Sequence, residues 1–197
     1  MKYYLDITLL PDAEANLGFL WKKVYQQIHL ALVENKEADG SSAIAISIPE
    51  YGSKQFLLGK KLRLFSQDRE QFQQLDIARW LSRLTDYTHY TSIKDVPSNI
   101  KQFAYFKRKQ FDTNIERLAR RRARRKGESF EQALSYLKDF KDRETNLPFI
   151  NMKSLSGEAQ FRLFIEQSFV DAPSVGEFNC YGLSSNGLSK TATIPWF

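Results

Sequence analysis

Apolar positions follow two different periods along the first part of the chain. Residues 3–10, YYLDITLL, combine β-branched and aromatic side chains and are followed by the turn signal Pro11–Asp12, which predicts a first strand. Between Asn16 and about Asn35, apolar residues recur three and four positions apart, which predicts a helix with one buried face. These residues are Leu17, Leu20, Trp21, Val24, Ile28, Ala31 and Leu32.

Alternating patterns then predict two further strands, AIAISIP and KKLRLFS, which we expect to be adjacent and antiparallel. Ser66 is predicted to cap a second helix, whose apolar residues between 72 and 84 keep helical spacing. YTSIKDVP, residues 90–97, is predicted as a fourth strand. The resulting order is β-α-β-β-α-β, that of a ferredoxin-like or RNA-recognition-like unit.

The chain changes character after Pro97, where FAYFKRKQF is both basic and aromatic. We expect a domain boundary here, with a ferredoxin-like domain over residues 1–97 and a second, C-terminal domain over residues 98–197. SFEQALSYLKDF predicts a helix ending near Lys141, and LPFINMKS and AQFRLFIEQSF predict strands. The predicted fold class is therefore α+β, with a C-terminal α/β domain that carries an arginine-rich helix.

That helix is predicted over residues 114–126, NIERLARRRARRK. Thr113 and Glu116 have the spacing of a capping box, and Gly127 stands where a left-handed C-terminal cap belongs. At 3.6 residues per turn, five arginines fall within an arc of roughly 140°, opposite a small apolar face of Ile115, Ala119 and Ala123. The five are Arg117, Arg120, Arg121, Arg124 and Arg125.

A solvated surface helix is the simplest explanation of such a charge run. Surface helices usually mix signs, however, whereas this one sets Arg117 against Arg121 and Arg120 against Arg124 at the repulsive i, i+4 spacing, with Glu116 alone to relieve them. The net charge of +6 also points to an anionic partner. Nucleic acid is the first candidate for that partner and a membrane surface the second.

Cysteine and histidine content narrows the chemistry and the compartment. Cys180 is the only cysteine, and with only His29 and His89 the sequence lacks zinc-type ligand spacing, so we expect neither a disulfide nor a metal or other cofactor. No apolar run approaches the roughly 18 residues of a membrane-spanning helix. The sequence therefore favours a cytosolic protein that is neither secreted nor embedded in a membrane.

His29 is the candidate for chemistry, although a lone helical histidine is equally compatible with a structural role. It lies beside the apolar face of the first helix, four residues after Tyr25. The sequence contains no G-x-S-x-G elbow or obvious carboxylate pair. RNA does not require one, because its own 2′-hydroxyl is a nucleophile that needs a base, a leaving-group acid and alignment with the phosphorus.

Eight short segments, in order and spacing, resemble the type I-F CRISPR repeat-processing endoribonucleases, the Csy-type crRNA maturation enzymes. They are YLDITLLPD, IHLAL, LGKKLRLF, NIERLARRRARR, LPF, SLSGEAQFRLFI, FNCYGLS and PWF, and they span nearly the whole chain. The resemblance implies a metal-independent endoribonuclease. Such an enzyme cleaves CRISPR precursor RNA at the base of the repeat stem-loop and stays bound to the crRNA with other subunits of the type I-F surveillance complex.

The resemblance also implies residue roles. His29 would be the general base, Ser154 would hold the ribose, and Tyr181 would orient His29 or the substrate, with Ser156 as the alternative to Ser154. Phe161 would stack beneath the terminal base pair, and Arg108 and Gln110 would read base edges. The arginines that would line the groove of the stem are Arg117, Arg120, Arg121, Arg124 and Arg125.

The residues alone leave other readings open. Ser154 and Ser156 could be ordinary strand or turn serines, Phe161 could be a core aromatic, and Arg108 and Gln110 could be exposed polar residues without a ligand. A non-cleaving RNA-hairpin-binding subunit of a ribonucleoprotein, or a helix that binds duplex DNA, would use the same arginines. An RNA endonuclease, a non-cleaving RNA-binding subunit and a duplex-DNA-binding helix all predict affinity that falls steeply with salt.

Overall fold

A computed structural model describes two compact units. The described residues are 1–111, 115–137, 146–155, 157, 159–185 and 191–197, with only the backbone for 115–117. One unit comprises Met1–Arg108 with Pro148–Phe197, and the other comprises Lys109–Leu147. The boundary predicted near Pro97 falls inside the first unit, and a domain division at that point remains a prediction.

The first sheet of the larger unit is antiparallel and has the strand order β2-β3-β1-β4, with β5 also paired to β1. Its strands are β1 (Tyr3–Leu9), β2 (Ala45–Ser47), β3 (Lys61–Ser66), β4 (Thr88–Tyr90) and β5 (Lys94–Asp95), and the helix α1 (Leu17–Glu34) connects β1 to β2. The Asn16 side chain caps α1 by accepting a hydrogen bond from the Phe19 amide, as its residue type favours. β2 pairs antiparallel with β3, so the pairing predicted for these two strands is confirmed.

The prediction of one continuous second helix is wrong. The segment forms two short helices, α2 (Arg69–Leu75) and α3 (Ile77–Leu81), separated by Asp76 at a φ of 45°. Asp76 ends α2 through its amide and caps α3 with its side chain, which Asp tolerates because its short polar chain can bond the local backbone. Ser66 is the last residue of β3 and accepts a hydrogen bond from the Asp68 amide, so the cap position belongs to Asp68.

The fourth predicted strand is also divided. Pairing with β1 occurs at β4 and again at β5, and a turn of 3₁₀ helix over Thr85–Tyr87 precedes them. A single strand over residues 90–97 is therefore a wrong prediction. The Thr91 hydroxyl accepts a hydrogen bond from the Asp6 amide between the two short pairings, which replaces a ladder bond there.

A second sheet completes the larger unit, with the strand order β7-β8-β6-β9. Its strands are β6 (Gln102–Lys109), β7 (Phe149–Lys153), β8 (Gln160–Val170) and β9 (Ile194–Trp196), and it includes both strands predicted from residues 147–169. β7 pairs antiparallel with β8, with Met152 opposite Phe161. Side chains of both sheets and of α1 belong to one apolar core, so α1 lies against β7 as well as β1.

The smaller unit contains α4 (Ile115–Lys126) and α5 (Phe130–Tyr136). Gly127 ends α4 at a φ of 67° and its amide bonds the Ala123 carbonyl, so the predicted left-handed cap is confirmed. The capping box predicted from Thr113 lies outside the described residues. A capping box is found instead at α5, where Ser129 and Gln132 bond each other's amides. The predicted end of this second helix near Lys141 also lies outside the described residues.

A buried ion pair joins β1 to β3. Asp6 and Arg63 are directly opposite each other, and Arg63 Nε lies 2.6 Å from Asp6 Oδ1 and its second nitrogen 3.0 Å from Oδ2. The guanidinium also lies over the rings of Tyr4 and Phe197 and donates to the Phe197 carbonyl. Both charged residues are less than a tenth exposed, so each depends on the other for solvation.

We expect Asp6→Asn to lower the free energy of unfolding by about 3 kcal/mol or more, because it leaves the Arg63 cation buried without its counter-charge. The exposed pair Arg79–Glu34 offers a matched control, for which Glu34→Gln should cost less than about 1 kcal/mol. Denaturant unfolding followed by tryptophan fluorescence measures both. Equal costs for the two substitutions would contradict a structural role for the buried pair.

Candidate active site and nucleic-acid interface

His29 lies on a buried face of α1, against the loop of residues 179–183. Its ring Nδ1 is 2.7 Å from the backbone carbonyl oxygen of Cys180. A carbonyl can only accept, so Nδ1 carries the proton of the neutral ring and Nε2 carries a lone pair. This tautomer is the one in which Nε2 can take a proton from another group.

Burial tunes the same ring. His29 is only 6% exposed, and burial lowers its pKa below the usual value because the imidazolium would lose its hydration. The hydrogen bond to the Cys180 carbonyl favours the charged form and partly opposes this lowering of the pKa. The net direction is downward, so the free protein holds His29 neutral at neutral pH, as a general base requires.

Tyr181 covers one face of the His29 ring. The two ring centroids are 4.2 Å apart and the planes are within 6° of parallel. The Tyr181 amide donates to the Asn179 side chain at 2.9 Å, and the Ile46 amide of β2 donates to the Gly182 carbonyl at 2.8 Å. The loop is thus held both by its own turn and by the edge of the first sheet.

Arg108 and Phe161 continue this row of stacked groups. The Arg108 guanidinium carbon is 5.5 Å from the Tyr181 ring centroid and 5.3 Å from that of Phe161, within the range of a cation–π contact. Arg108 Nε is shielded from solvent and has no hydrogen-bond partner among the described residues. The row His29, Tyr181, Arg108, Phe161 therefore brings four of the predicted site residues together, from α1, the loop, β6 and β8.

Ser154 immediately follows β7. Its amide donates to the Ala159 carbonyl at 2.9 Å, which closes the turn between β7 and β8. The preceding amide, that of Lys153, donates to the Gln26 side chain at 3.1 Å. Gln26 is three residues before His29 on α1, and side chains at this spacing are neighbours on a helix surface. The bond therefore ties the end of β7 to α1 beside His29. The alternative, Ser156, lies outside the described residues.

The remaining predicted residues belong to the smaller unit. Gln110 is exposed just after β6, and Ala119 of α4 is fully buried. The arginines predicted to share one face are exposed wherever their side chains are described, namely Arg120, Arg121, Arg124 and Arg125. The side chain of Arg117 lies outside the described residues. Over the residues whose side chains are described, α4 therefore has the predicted exposed arginine face, with Ala119 buried on the opposite side.

Arg122 differs from its neighbours because it folds back onto the smaller unit. Its Nε lies 2.6 Å from a Glu128 carboxylate oxygen, and its guanidinium carbon is 3.6 Å from the Tyr136 ring centroid. Glu128 therefore neutralises Arg122, which is not one of the arginines set against each other at i, i+4 spacing, and the expectation that Glu116 alone relieves those pairs stays a prediction. The four exposed arginines form the charged face, and Arg122 joins α4 to α5.

Comparison with known proteins identifies the chain. The family described as CRISPR-associated protein (Cas_Csy4) matches residues 4–197. The chain belongs to this Csy4 family. It is 36% identical over 198 residues to the CRISPR-associated endonuclease Cas6/Csy4 of Escherichia coli (strain UTI89 / UPEC), and 33% identical over 198 residues to that of Pseudomonas aeruginosa (strain UCBPP-PA14). Both alignments cover all of this chain and all of the relative, so the family resemblance of the sequence is confirmed.

Other features of this Csy4-family chain bear on its chemistry and setting. Within the described ranges, no three His, Cys, Asp or Glu side chains cluster as a metal-ligand set, and no helix there is long and apolar enough to cross a membrane. His89 is exposed on β4. Cys180 acts through its backbone carbonyl, a role that its side chain could not have suggested.

The sequence did not assign a role to three residues that lie beside His29 in this Csy4-family protein, namely Cys180, Gln26 and Tyr25. The Cys180 carbonyl carries no signal in the sequence, because any residue supplies one. Gln26 and Tyr25 do carry a signal, since both lie within one helical turn of His29, and Tyr25 has the i, i+4 spacing that places two side chains on one face. Spacing alone could not show which of these neighbours reaches the loop.

Gly182 should be essential to the position of the loop. Its φ is 68°, and a Cβ there would lie 2.6 Å from Ile46 Cγ1 and 3.1 Å from Ile46 Cβ, too close for the Ile46 side chain to remain in place. We expect Gly182→Ala to shift the loop and lower the free energy of unfolding by about 2 kcal/mol or more, as strained backbone and overpacking both contribute.

Gly52→Ala is the matched control for this substitution. Gly52 also has a positive φ, of 84°, but no atom lies within 4 Å of the added Cβ, so only the backbone cost of about 1 kcal/mol is expected. Both proteins are compared by denaturant midpoint. If Gly52→Ala were as destabilising as Gly182→Ala, the close contact with Ile46 would not be what fixes the loop.

Proposed function

We propose that this protein is a CRISPR precursor-RNA endoribonuclease that cleaves the repeat at the base of its stem-loop with His29 as general base. The Csy4 family and its two endonuclease relatives support RNA cleavage. The observation that carries the role of His29 is its Nδ1 hydrogen bond to the Cys180 carbonyl, which leaves the lone pair on Nε2 of a ring whose pKa is lowered.

The reaction needs no nucleophile from the protein. His29 Nε2 removes the proton of the ribose 2′-hydroxyl next to the scissile phosphate, and O2′ then attacks the phosphorus in line. The P–O5′ bond breaks, O5′ takes up a proton from water, and the protonated His29 returns its proton to the solvent. The products are a 5′-hydroxyl on one fragment and a 2′,3′-cyclic phosphate, or the phosphate formed from it, on the other. In this scheme the attack itself is independent of a metal ion.

Alignment is the second requirement, and Ser154 and Tyr181 are suited to it. Ser154 would hold the ribose so that its 2′-hydroxyl faces the phosphorus, and the Lys153–Gln26 hydrogen bond supports this assignment because it ties the serine's segment to the helix of the base. Tyr181 would hold the imidazole plane by stacking. Both are positioning roles, that of Ser154 for the ribose and that of Tyr181 for the base.

Arg108 and Phe161 are proposed to bind the bottom of the stem. Phe161 is partly exposed, so the terminal base pair can stack on it, and the Arg108 fork has the geometry to bond O6 and N7 of a guanine. Arg108 Nε has no hydrogen-bond partner among the described residues, and because it is shielded from solvent, the terminal nitrogens of the fork are the atoms that would meet the base. Gln110, exposed after β6, would pair with an adenine edge.

The charged face of α4 is proposed to grip the stem. The major groove of A-form RNA is generally too deep and narrow for side chains to read, so most of these arginines would contact phosphates. A short hairpin stem is open at its ends, and a helix with a small apolar back and long guanidiniums can enter there. Arg117, Arg120, Arg121, Arg124 and Arg125 would supply this binding and retain the crRNA after cleavage.

Fold, partners and location complete the proposal. The β2-β3-β1-β4 order and the β1-α1-β2-β3 connection support a ferredoxin-like arrangement for the first sheet. A retained hairpin would tether the protein to the other subunits of a type I-F surveillance complex through the shared RNA. A cytosolic location agrees with the reducing setting expected for Cys180, and it remains a prediction.

His29→Ala should lower the single-turnover cleavage rate by about 10²-fold or more while hairpin affinity changes by less than about threefold, because the base acts on the transition state. Hairpin RNA with a 2′-deoxynucleotide just upstream of the scissile phosphate should bind but not be cut. Denaturing gels and filter binding measure both, with chelator present throughout.

Two outcomes would contradict this mechanism. Cleavage of the 2′-deoxy RNA would exclude attack by the 2′-hydroxyl. A large loss of hairpin binding in His29→Ala, matched by a loss of folded protein, would make His29 a structural residue. Replacement of the exposed His89 by Ala is the matched control and should leave both cleavage and binding unchanged.

Arg121→Gln combined with Arg125→Gln should weaken hairpin binding and reduce the slope of log K against log salt by about two, since each substitution removes one cation from the phosphates. Cleavage at saturating protein should be nearly unaffected. The exposed residues Lys36 and Lys54 provide a control of equal charge change, Lys36→Gln with Lys54→Gln. An equal fall in slope in the control would assign the effect to net charge rather than to α4.

A further inference from the structure

We propose that Tyr25 is a positioning residue for catalysis, which holds the loop of residues 179–183 so that His29 stays in its reactive tautomer. This inference rests on the proposed function of His29. Tyr25 does not belong to the row of groups that would meet RNA, and it acts through the backbone of the loop.

The geometry consists of two parallel hydrogen bonds from one helix. The Tyr25 hydroxyl donates to the Tyr181 carbonyl at 2.8 Å, and His29 Nδ1 donates to the Cys180 carbonyl at 2.7 Å. Tyr25 and His29 are one helical turn apart on α1, and the two carbonyls are consecutive in the loop. The two carbonyls belong to adjacent peptide units that share the Tyr181 Cα, so we expect a displacement of the Tyr181 carbonyl to move the Cys180 carbonyl as well.

Tyr25 is well suited to hold this position. Its side chain is fully buried, so its ring cannot move without opening the core, and the Trp21 ring packs against it at a centroid distance of 6.5 Å. Burial also raises the pKa of the Tyr25 phenol, so the hydroxyl remains a donor throughout the pH range of the reaction. A hydrogen bond from a donor that is buried and fixed by packing allows its acceptor little freedom to move.

The other hydrogen bonds of the loop do different work. The Asn179 side chain fixes the turn internally, and the Ile46 amide fixes Gly182 against β2. The Tyr25 hydroxyl instead ties the loop to α1, the helix that carries the base. Without this hydroxyl, the Tyr181 carbonyl would lose its partner, and the Cys180 carbonyl would no longer be held against Nδ1. The proton could then move to Nε2, where the ring cannot act as the base.

The direct test is the tautomer of His29 in Tyr25→Phe, which removes one oxygen atom and keeps the ring. With only two histidines in the sequence, a His89→Gln background leaves His29 as the sole imidazole. Nitrogen-15 NMR of the free protein should show the Nδ1–H tautomer before the Tyr25 substitution and a mixture with Nε2–H after it. A ring that is already Nε2–H with Tyr25 present would overturn the proposal.

Cleavage should change in a way that general destabilisation does not produce. In Tyr25→Phe the single-turnover rate on saturating hairpin RNA should fall about tenfold, with affinity within about twofold of the parent, because orientation rather than binding is lost. The Cys180 hydrogen bond raises the pKa of His29, so its loss lowers that pKa. The acid limb of the pH–rate profile, measured below saturation, should therefore move to lower pH while the plateau falls.

Tyr51→Phe is the matched control. The Tyr51 hydroxyl also donates to a backbone carbonyl at 2.8 Å, that of Ile165, in the same unit but outside the loop. It should leave the His29 tautomer and the acid limb unchanged. Equal losses in both variants, or an unchanged tautomer and rate in Tyr25→Phe, would overturn the proposal.

Failure of the proposed function would look different. If His29→Ala still cleaved the hairpin, His29 would not be the base, yet the NMR measurement would continue to report whether Tyr25 controls the tautomer. If His29→Ala were inactive and Tyr25→Phe fully active with an unchanged tautomer, only the role of Tyr25 would be rejected.

Discussion

The hydrogen bond from His29 Nδ1 to the Cys180 carbonyl is the constraint on which the candidate site depends. It decides which ring nitrogen carries the proton, and it requires the loop of residues 179–183 to lie against α1. The stacked Tyr181, the left-handed Gly182 and the side chain of Asn179 all serve the same placement. The imidazole thereby has one defined tautomer and orientation, as the proposed role of general base requires, by means of backbone geometry rather than a charged partner.

Much of the fold could be predicted because apolar residues recur in the sequence at clear helix and strand spacings. α1 extends from Leu17 to Glu34, within about a residue of the predicted bounds Asn16 and Asn35, and the pairing of β2 with β3 was expected from their alternation. The prediction of one continuous second helix was wrong for a physical reason. An unbroken 3.6-residue period does not reveal that Asp76 takes a left-handed conformation, since the apolar spacing continues across it in the sequence.

The site was only partly predictable. Family resemblance suggested His29, Tyr181, Arg108 and Phe161, and the fold brings these four into one row of ring and guanidinium contacts. Carbonyl groups leave no trace in residue identity, so the tautomer could not be inferred. Nor could charge patterning show that Arg122 turns away from its neighbours, because its partners, Glu128 and Tyr136, lie beyond the helix that carries it.

The two hydrogen bonds between α1 and the loop join residues that are 151 and 156 positions apart. During synthesis, His29 and Tyr25 are therefore made long before the two loop carbonyls to which they donate. The arginines of α4 are made in between. The histidine acquires its defined tautomer only when the loop of residues 179–183 has been made and has folded back. If the proposed roles hold, a partly synthesised chain would carry the RNA-binding arginines before it carried an oriented base, so the order of translation would separate affinity from cleavage.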